Sequence, residues 1–175
     1  MSRADLNPTA ASLLGFLLDG PKTGWDLDRA VGESIGNFWN VTRSQIYREL
    51  RVLTEEGYVQ PGTSGPRDRV PYAITDAGRS AFRTWISERP PPDIIRSRLL
   101  LTVFFGEHLE PDRLRDILEE QRRGHASHLE RYEQLAAAGA TEAGFPGRTL
   151  RFGIAYEQAM IDWIDGLLAE GPGLS

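Results

Sequence analysis

FWNVTRSQIYREL, residues 38–50, reads as the entrance to a helix. Thr42 and Gln45 fit a capping box, in which the cap hydroxyl takes a first-turn amide and the Gln side chain returns to the cap's own amide. Beyond them Ile46, Leu50 and Leu53 recur at helical spacing and give one buried stripe, and Gly57 ends the run. Thr42, Arg43, Ser44 and Gln45 stand at the helix start, away from that stripe. Tyr47, Arg48 and Arg51 lie on other flanks.

Two helices precede this one. Asn7-Pro8 starts the first, because Asn caps and Pro fits the first turn. Leu13, Leu14, Phe16, Leu17 and Leu18 follow, and Gly20-Pro21 stops it. Thr23 caps the second, with Trp25, Leu27 and Val31 as its apolar face and an end near Gly32–Gly36. Downstream, Tyr58-Val59 is expected as a strand. Residues 60–69 (QPGTSGPRDR) form a turn-rich tip, and Val70–Ile74 should be the return strand. Thr75 then caps a fourth helix with Ala77, Phe82, Trp85 and Ile86 as apolar positions, up to Pro90-Pro91-Pro92. Three helices, a hairpin and a helix in this order predict a winged helix-turn-helix over residues 1–89. Residues 90–175 read as a second, helical domain, and the fold class is mainly α with a small β-hairpin wing.

The 175 residues carry a net charge of -5. Residues 1–89 hold eleven basic and eleven acidic side chains, so all of the excess negative charge lies in residues 90–175. Such asymmetry points to two surfaces with different tasks. There is no cysteine, which excludes a disulfide framework and a thiolate metal site and is compatible with a reducing compartment. The apolar run Leu13–Leu18 is too short for a membrane span and no small-residue cleavage site follows it. A core helix of a cytoplasmic protein, with no membrane partner, is the expectation.

Four stretches resemble the PadR family of transcriptional regulators, in the family's order. Gly20-Pro21-Lys22-Thr23-Gly24-Trp25-Asp26-Leu27 is similar to its G-P-x-x-G-Y-[ED]-L turn. Residues 38–50 are similar to its F-W-x-V-[ST]-x-x-x-[LI]-Y-x-x-L segment. Residues 53–59 resemble L-x-x-x-G-[LY]-[IV], and residues 69–78 resemble the wing's return strand and the next helix. The resemblance covers roughly residues 10–88, about half the chain. Trp25 departs from the usual Tyr, Arg48 stands where many relatives have Pro, and Pro71 is expected to interrupt the return strand.

The resemblance implies DNA binding through the third helix, whose N-terminal residues reach base edges in the major groove. Arg43, Ser44 and Gln45 are the expected base-edge residues, with Thr42 beside them. Tyr47, Arg48 and Arg51 are expected on phosphates. Arg48 and Arg51 have another reading as partners of neighbouring acids, Tyr47 as a core residue and Gln45 as a capping residue alone. On the wing, Arg67 and Arg69 are expected on the adjacent backbone or minor groove. One domain of zero net charge binds DNA weakly, since affinity comes largely from phosphate neutralisation. Two joined domains reading an inverted repeat in double-stranded DNA resolve this.

The second half is expected to supply that junction. Helices are expected at about Asp93–Phe105, Pro111–Ala138 and Phe145–Leu168, with a mobile Gly-rich connection over Ala136–Gly147. Leu114, Leu118, Gln121, His125, His128, Tyr132 and Leu135 are spaced as a heptad seam. Leu150, Ile154, Glu157, Ile161, Ile164 and Leu168 keep similar spacing. Neither helix can bury its stripe alone, so the two should pack on each other and on a second chain, giving a homodimer. The resemblance implies the same interface. It also implies a small-molecule effector in many members, and Trp25, Phe38, Trp39, Phe104, Phe105, Phe152, Tyr156 and Trp163 are candidate pocket residues for a small aromatic one.

His125 and His128 at i and i+3 fit one metal or a pH-sensitive seam. A metal needs more ligands, and His108 is distant in sequence, so no metal and no cofactor are expected. Catalysis is not expected either: the sequence lacks a nucleotide-binding Gly-rich signature, a Cys nucleophile and a His/carboxylate metal motif. The competing reading is a winged helix that binds only protein. Arg rather than apolar residues on the third helix favour DNA. A repressor is the default, since a dimer on a promoter blocks polymerase without a further contact.

Overall fold

The structure is a computed structural model that describes residues 6–36, 38–64, 69–92, 94–140 and 144–170. It is mainly helical with one small antiparallel sheet, and it divides into two compact units, Met1–Pro92 and Asp93–Ser175.

The first unit begins with α1 (Pro8–Phe16), capped by Asn7, whose side chain accepts the Ala10 amide at 2.9 Å. A short turn over Leu17–Asp19 leads to β1 (Lys22–Thr23) and α2 (Gly24–Ser34). Thr23 and Asp26 form a reciprocal capping box at the start of α2. Those hydrogen bonds from Thr23 are the main reason the Asp26 carboxyl is held below the usual carboxylate range, with Arg29 and Arg69 adding to it. Next come α3 (Arg43–Glu55), β2 (Val59–Pro61), β3 (Pro71–Ile74) and α4 (Asp76–Ser87). The Thr42–Gln45 box forms at the start of α3, and Gly57, at φ 73, makes the left-handed turn into β2.

The sheet has three strands in the order β1-β3-β2. Lys22 pairs with Tyr72 and Thr23 with Pro71, which adds a strand to the hairpin expected from sequence. Pro71 does not interrupt the return strand. It is the first residue of β3, a position that tolerates a missing N–H, and its carbonyl accepts the Gly62 amide.

One core joins these elements: Leu13, Leu14 and Leu17 before the sheet, Leu27 on α2, and Ile46, Leu50 and Leu53 on α3, all within 1% of full burial. Each such side chain contributes about 1.5–3 kcal/mol relative to an exposed one. The apolar face of α4 is narrower than expected. Ala81 and Phe82 pack on the core, whereas Ala77 is exposed and Ile86 is 61% exposed. Trp25 lies on the solvent side of α2 and not on its apolar face.

The second unit holds α5 (Arg98–Phe104), α6 (Pro111–Leu135) and α7 (Gly144–Glu170). The helix expected from Asp93 starts only at Arg98, capped by Ser97. Ile94 and Ile95 precede it, exposed and outside any helix. Ala136–Ala140 continues α6 as a π-helical turn with Gly139 at φ 88, so a helical turn stands where a loop was expected. Contacts from Arg115–Leu168 through Arg122–Asp165 to His125–Glu157 make α6 and α7 antiparallel. Among the described residues no helix is long and apolar enough to cross a membrane.

Candidate nucleic-acid interface

Leu27 and Val31 on α2, with Ile46, Leu50 and Leu53 on α3, fix the two helices against α1. The opposite side of α3 is therefore outward. Thr42, Arg43 and Ser44 are exposed at its start. Arg43, Tyr47 and Arg51 follow at intervals of four and form one stripe. Arg48 lies beside it.

The cap geometry decides what each group has left to offer. The Gln45 amide donates to Thr42 Oγ1 at 3.3 Å, while Gln45 Oε1 accepts from the Thr42 amide at 2.8 Å and from its hydroxyl at 3.0 Å. The acceptor of Gln45 is thus committed to the cap, and its amide nitrogen is the atom left for a base. Ser44 Oγ lies 3.1 Å from Thr42 Oγ1. Tyr47 is 48% exposed and not part of the core. Its ring lies over Gly24, where a Cβ would stand 2.5 Å from Cε1, so the glycine at the start of α2 makes room for it.

The arginines differ in how they are held. Arg43 donates from Nε and Nη2 to Asp28 Oδ2, at 3.0 and 2.8 Å. Arg48 donates to Glu49 Oε1. Glu49 is 6% exposed, and its other oxygen accepts from Asn7 Nδ2 at 2.9 Å, which ties α3 to the cap of α1. Arg51 is exposed and makes no ion pair among the described residues. At the base of the wing Arg69 rests on the Trp25 ring at 5.0 Å, and Arg29 rests on it at 5.1 Å. Arg67 lies outside the described residues. Sequence reading missed Asp28, Trp25 and Arg29. The departure from Tyr at position 25 was the visible signal for the second, since Trp is the best ring for a guanidinium.

In the second unit the seam residues divide. Leu118, Tyr132, Ile161 and Ile164 are buried between α6 and α7 of one chain, and Leu114 and Ile154 are half-buried. Gln121, His128 and Leu135 are exposed. His125 Nδ1 lies 2.5 Å from the buried Glu157, and His128 Nδ1 lies 3.6 Å from its other oxygen. Tyr132 packs on Gly153, and burial pushes its hydroxyl above the usual phenol range. Among the described residues no group of three His, Cys, Asp or Glu is arranged for a metal. A cavity of about 460 Å³ opens at one end of this unit, lined by Val103, Phe104, Leu109, Leu114 and Leu118, with Arg115 at its wall. Of the eight aromatic pocket candidates only Phe104 lines it. Trp25, Phe38 and Trp39 belong to the other unit, and Phe152 and Tyr156 stack on each other.

Residues 13–84 match the family model described as the transcriptional regulator PadR-like family, and residues 95–170 match the model described as virulence activator alpha C-term. A probable transcriptional regulator of Mycobacterium tuberculosis is 31% identical, over 88% of this chain and 92% of its own length. The chain belongs to the PadR-like family of transcriptional regulators. The negative transcriptional regulator PadR of Bacillus subtilis is 28% identical to this PadR-like chain, over 90% of it and 94% of the relative. The structure of Bacillus subtilis PadR in complex with operator DNA shares its fold. It has a TM-score of 0.78 at 24% identity and covers 94% of this chain and 99% of that one. The same protein has also been solved in complex with p-coumaric acid. As a PadR-like regulator the chain is not an enzyme. The match over residues 95–170 gives the C-terminal half an assignment that no motif in it offered.

Proposed function

We propose that this chain is a cytoplasmic homodimeric repressor that binds an inverted-repeat operator in double-stranded DNA and releases it when a small aromatic effector binds. The observation that carries the reading is the outward face of α3. Arg43, Ser44, Tyr47, Arg48 and Arg51 are exposed there, with no apolar surface suited to a protein partner at the helix start. Thr42, Arg43, Ser44 and the free amide nitrogen of Gln45 face base edges. Tyr47, Arg48 and Arg51 face phosphates, and Arg67 and Arg69 serve the wing. The relatives support repression and DNA as a partner, because one is named a negative regulator and its structure has been solved on its operator.

Dimerisation follows from the charge. With Arg43 and Arg48 already paired to acids, one unit neutralises few phosphates, and salt weakens it steeply. Residues 1–89 act as the DNA-binding domain and residues 90–175 as the dimerisation and effector domain. Within the seam, Leu118, Tyr132 and Ile161 hold α6 to α7, and Gln121, His128 and Leu135 remain for the second chain. Leu114, His125 and Ile154 stand between these two sets. The cavity walled by Leu114 and Arg115 has the volume of a small-molecule site. An effector there changes the spacing of the two recognition helices only through unequal affinity for the two spacings.

The test is fluorescence anisotropy of the full chain on the DNA upstream of its own coding region, at two salt concentrations, beside an Arg43→Ala/Arg48→Ala variant. Tight, salt-sensitive binding that survives competitor DNA and vanishes in the variant is expected. Binding at competitor level alone, there and on a genome-wide pool of fragments, would contradict the reading. Trp25→Ala is a milder probe. It removes two cation–π contacts of about 0.5–1 kcal/mol each, one of which steadies Arg69. Duplex affinity should fall roughly threefold to tenfold, and Trp25→Ala in an Arg69→Ala background should add little.

A further inference from the structure

Asp28 has no part in the readings above, yet it grips the residue that leads the recognition helix. It projects from α2 one position after the fully buried Leu27, so the core fixes its backbone. Its side chain is 26% exposed, against 61% for Arg43. One carboxylate oxygen, Oδ2, accepts from both Nε and Nη2 of Arg43. A guanidinium has five N–H donors in a planar fork. Two are spent on Asp28, and the three on the far side of the plane stay open. The Arg43 guanidinium is accordingly held further into its charged form by Asp28.

The pairing acts in two directions at once. It cancels most of the charge that Arg43 would present to phosphates, so Arg43 adds little to sequence-independent attraction. It also fixes a side chain that otherwise loses up to about 2 kcal/mol of rotamer freedom when it docks. A pre-aimed fork favours a partner with the matching acceptor geometry, a base edge, over any phosphate that passes. Arg48 is held by Glu49 in the same way, and Glu49 is anchored by Asn7. Both arginines in the first turns of α3 are therefore braced by carboxylates.

We propose that Asp28 is a specificity-determining positioning residue, which aims Arg43 at a base edge and suppresses its contribution to non-specific DNA binding. The proposal rests on the reading of Arg43 as a DNA contact.

The experiment compares wild type, Asp28→Asn and Asp28→Ala in the full chain. One duplex is the sequence that wild type enriches from a random pool, and the other is a scrambled duplex of equal length and composition. Affinities are read by anisotropy over a salt series, and thermal unfolding verifies that each variant is folded. Scrambled-duplex binding should tighten, and its slope of log affinity against log salt should steepen by about two per dimer, one freed cation per subunit. The ratio of selected to scrambled affinity should fall at least about tenfold. In an Arg43→Ala background Asp28→Asn should change neither quantity. An unchanged ratio and slope would overturn the proposal and leave Asp28–Arg43 as a plain surface ion pair. The same change with Arg43 absent would also overturn it, since the acid would then act by charge alone. A wild-type chain that enriches no sequence sinks the DNA reading itself, which keeps the two failures distinct.

Discussion

Gly78→Ala is expected to destabilise the N-terminal unit by about 3 kcal/mol or more, the largest single-site effect the structure predicts there. Gly78 lies in the first turn of α4, against the chain entering β2. A Cβ built on it would stand 2.1 Å from the Tyr58 carbonyl oxygen and 3.0 Å from Ile74 Cγ1. The obstacle is backbone, so no rotamer change relieves it. The same Tyr58 carbonyl accepts from the Thr75 amide at 3.0 Å and the Thr75 hydroxyl at 3.1 Å. Moving α4 aside therefore costs the contacts that seat its N-cap as well. A domain of this kind has only about 5–15 kcal/mol to lose. Gly32→Ala is the control: it lies inside α2 with nothing within 4 Å of its Cβ, and it should gain about 1 kcal/mol from helix propensity. Urea unfolding followed by circular dichroism reads both. A Gly78→Ala protein as stable as wild type would mean that α4 does not sit on β2 as described.

Arg43→Ala and Arg51→Ala are expected to weaken DNA binding by two different routes. Arg43 leads the recognition helix and is aimed by Asp28, so its loss should fall on sequence discrimination. A bidentate base contact is worth about 1–3 kcal/mol. Two half-sites make that about 2–6 kcal/mol, roughly thirtyfold to ten-thousandfold on the selected sequence, with little change on a scrambled duplex. Arg51, exposed and unpaired among the described residues, should act as a simple cation. Its removal should weaken both duplexes alike and reduce the salt slope by about two per dimer. Equal losses on both duplexes for Arg43→Ala would place that residue on phosphate and not on a base.

Local chemistry was legible in the sequence where a few residues decide the outcome alone. Asn7, Thr23, Thr42 and Thr75 each cap the helix expected of them, because capping needs only a side chain and an amide three residues on. Ser97 offered the same signal. It went unread because the apolar pair Ile94-Ile95 drew the helix start upstream. What failed was distant in sequence. Lys22 and Thr23 are strand only through Tyr72 and Pro71, about fifty residues away. Arg43 finds Asp28 fifteen residues back. The seam of α6 has the right period, but period alone does not say which helix lies opposite. Leu118 and Tyr132 turn out to face their own chain's α7. For Gln45 both readings keep a share: the cap takes its oxygen and leaves its nitrogen.

The most direct test of the whole account is selection of bound sequences from a random duplex pool by the purified full chain. Two α3 helices carried by one dimer should enrich an inverted repeat, with half-sites about one helical turn apart or a multiple of it. Enrichment of a lone, asymmetric site, or of no sequence at all, would contradict it.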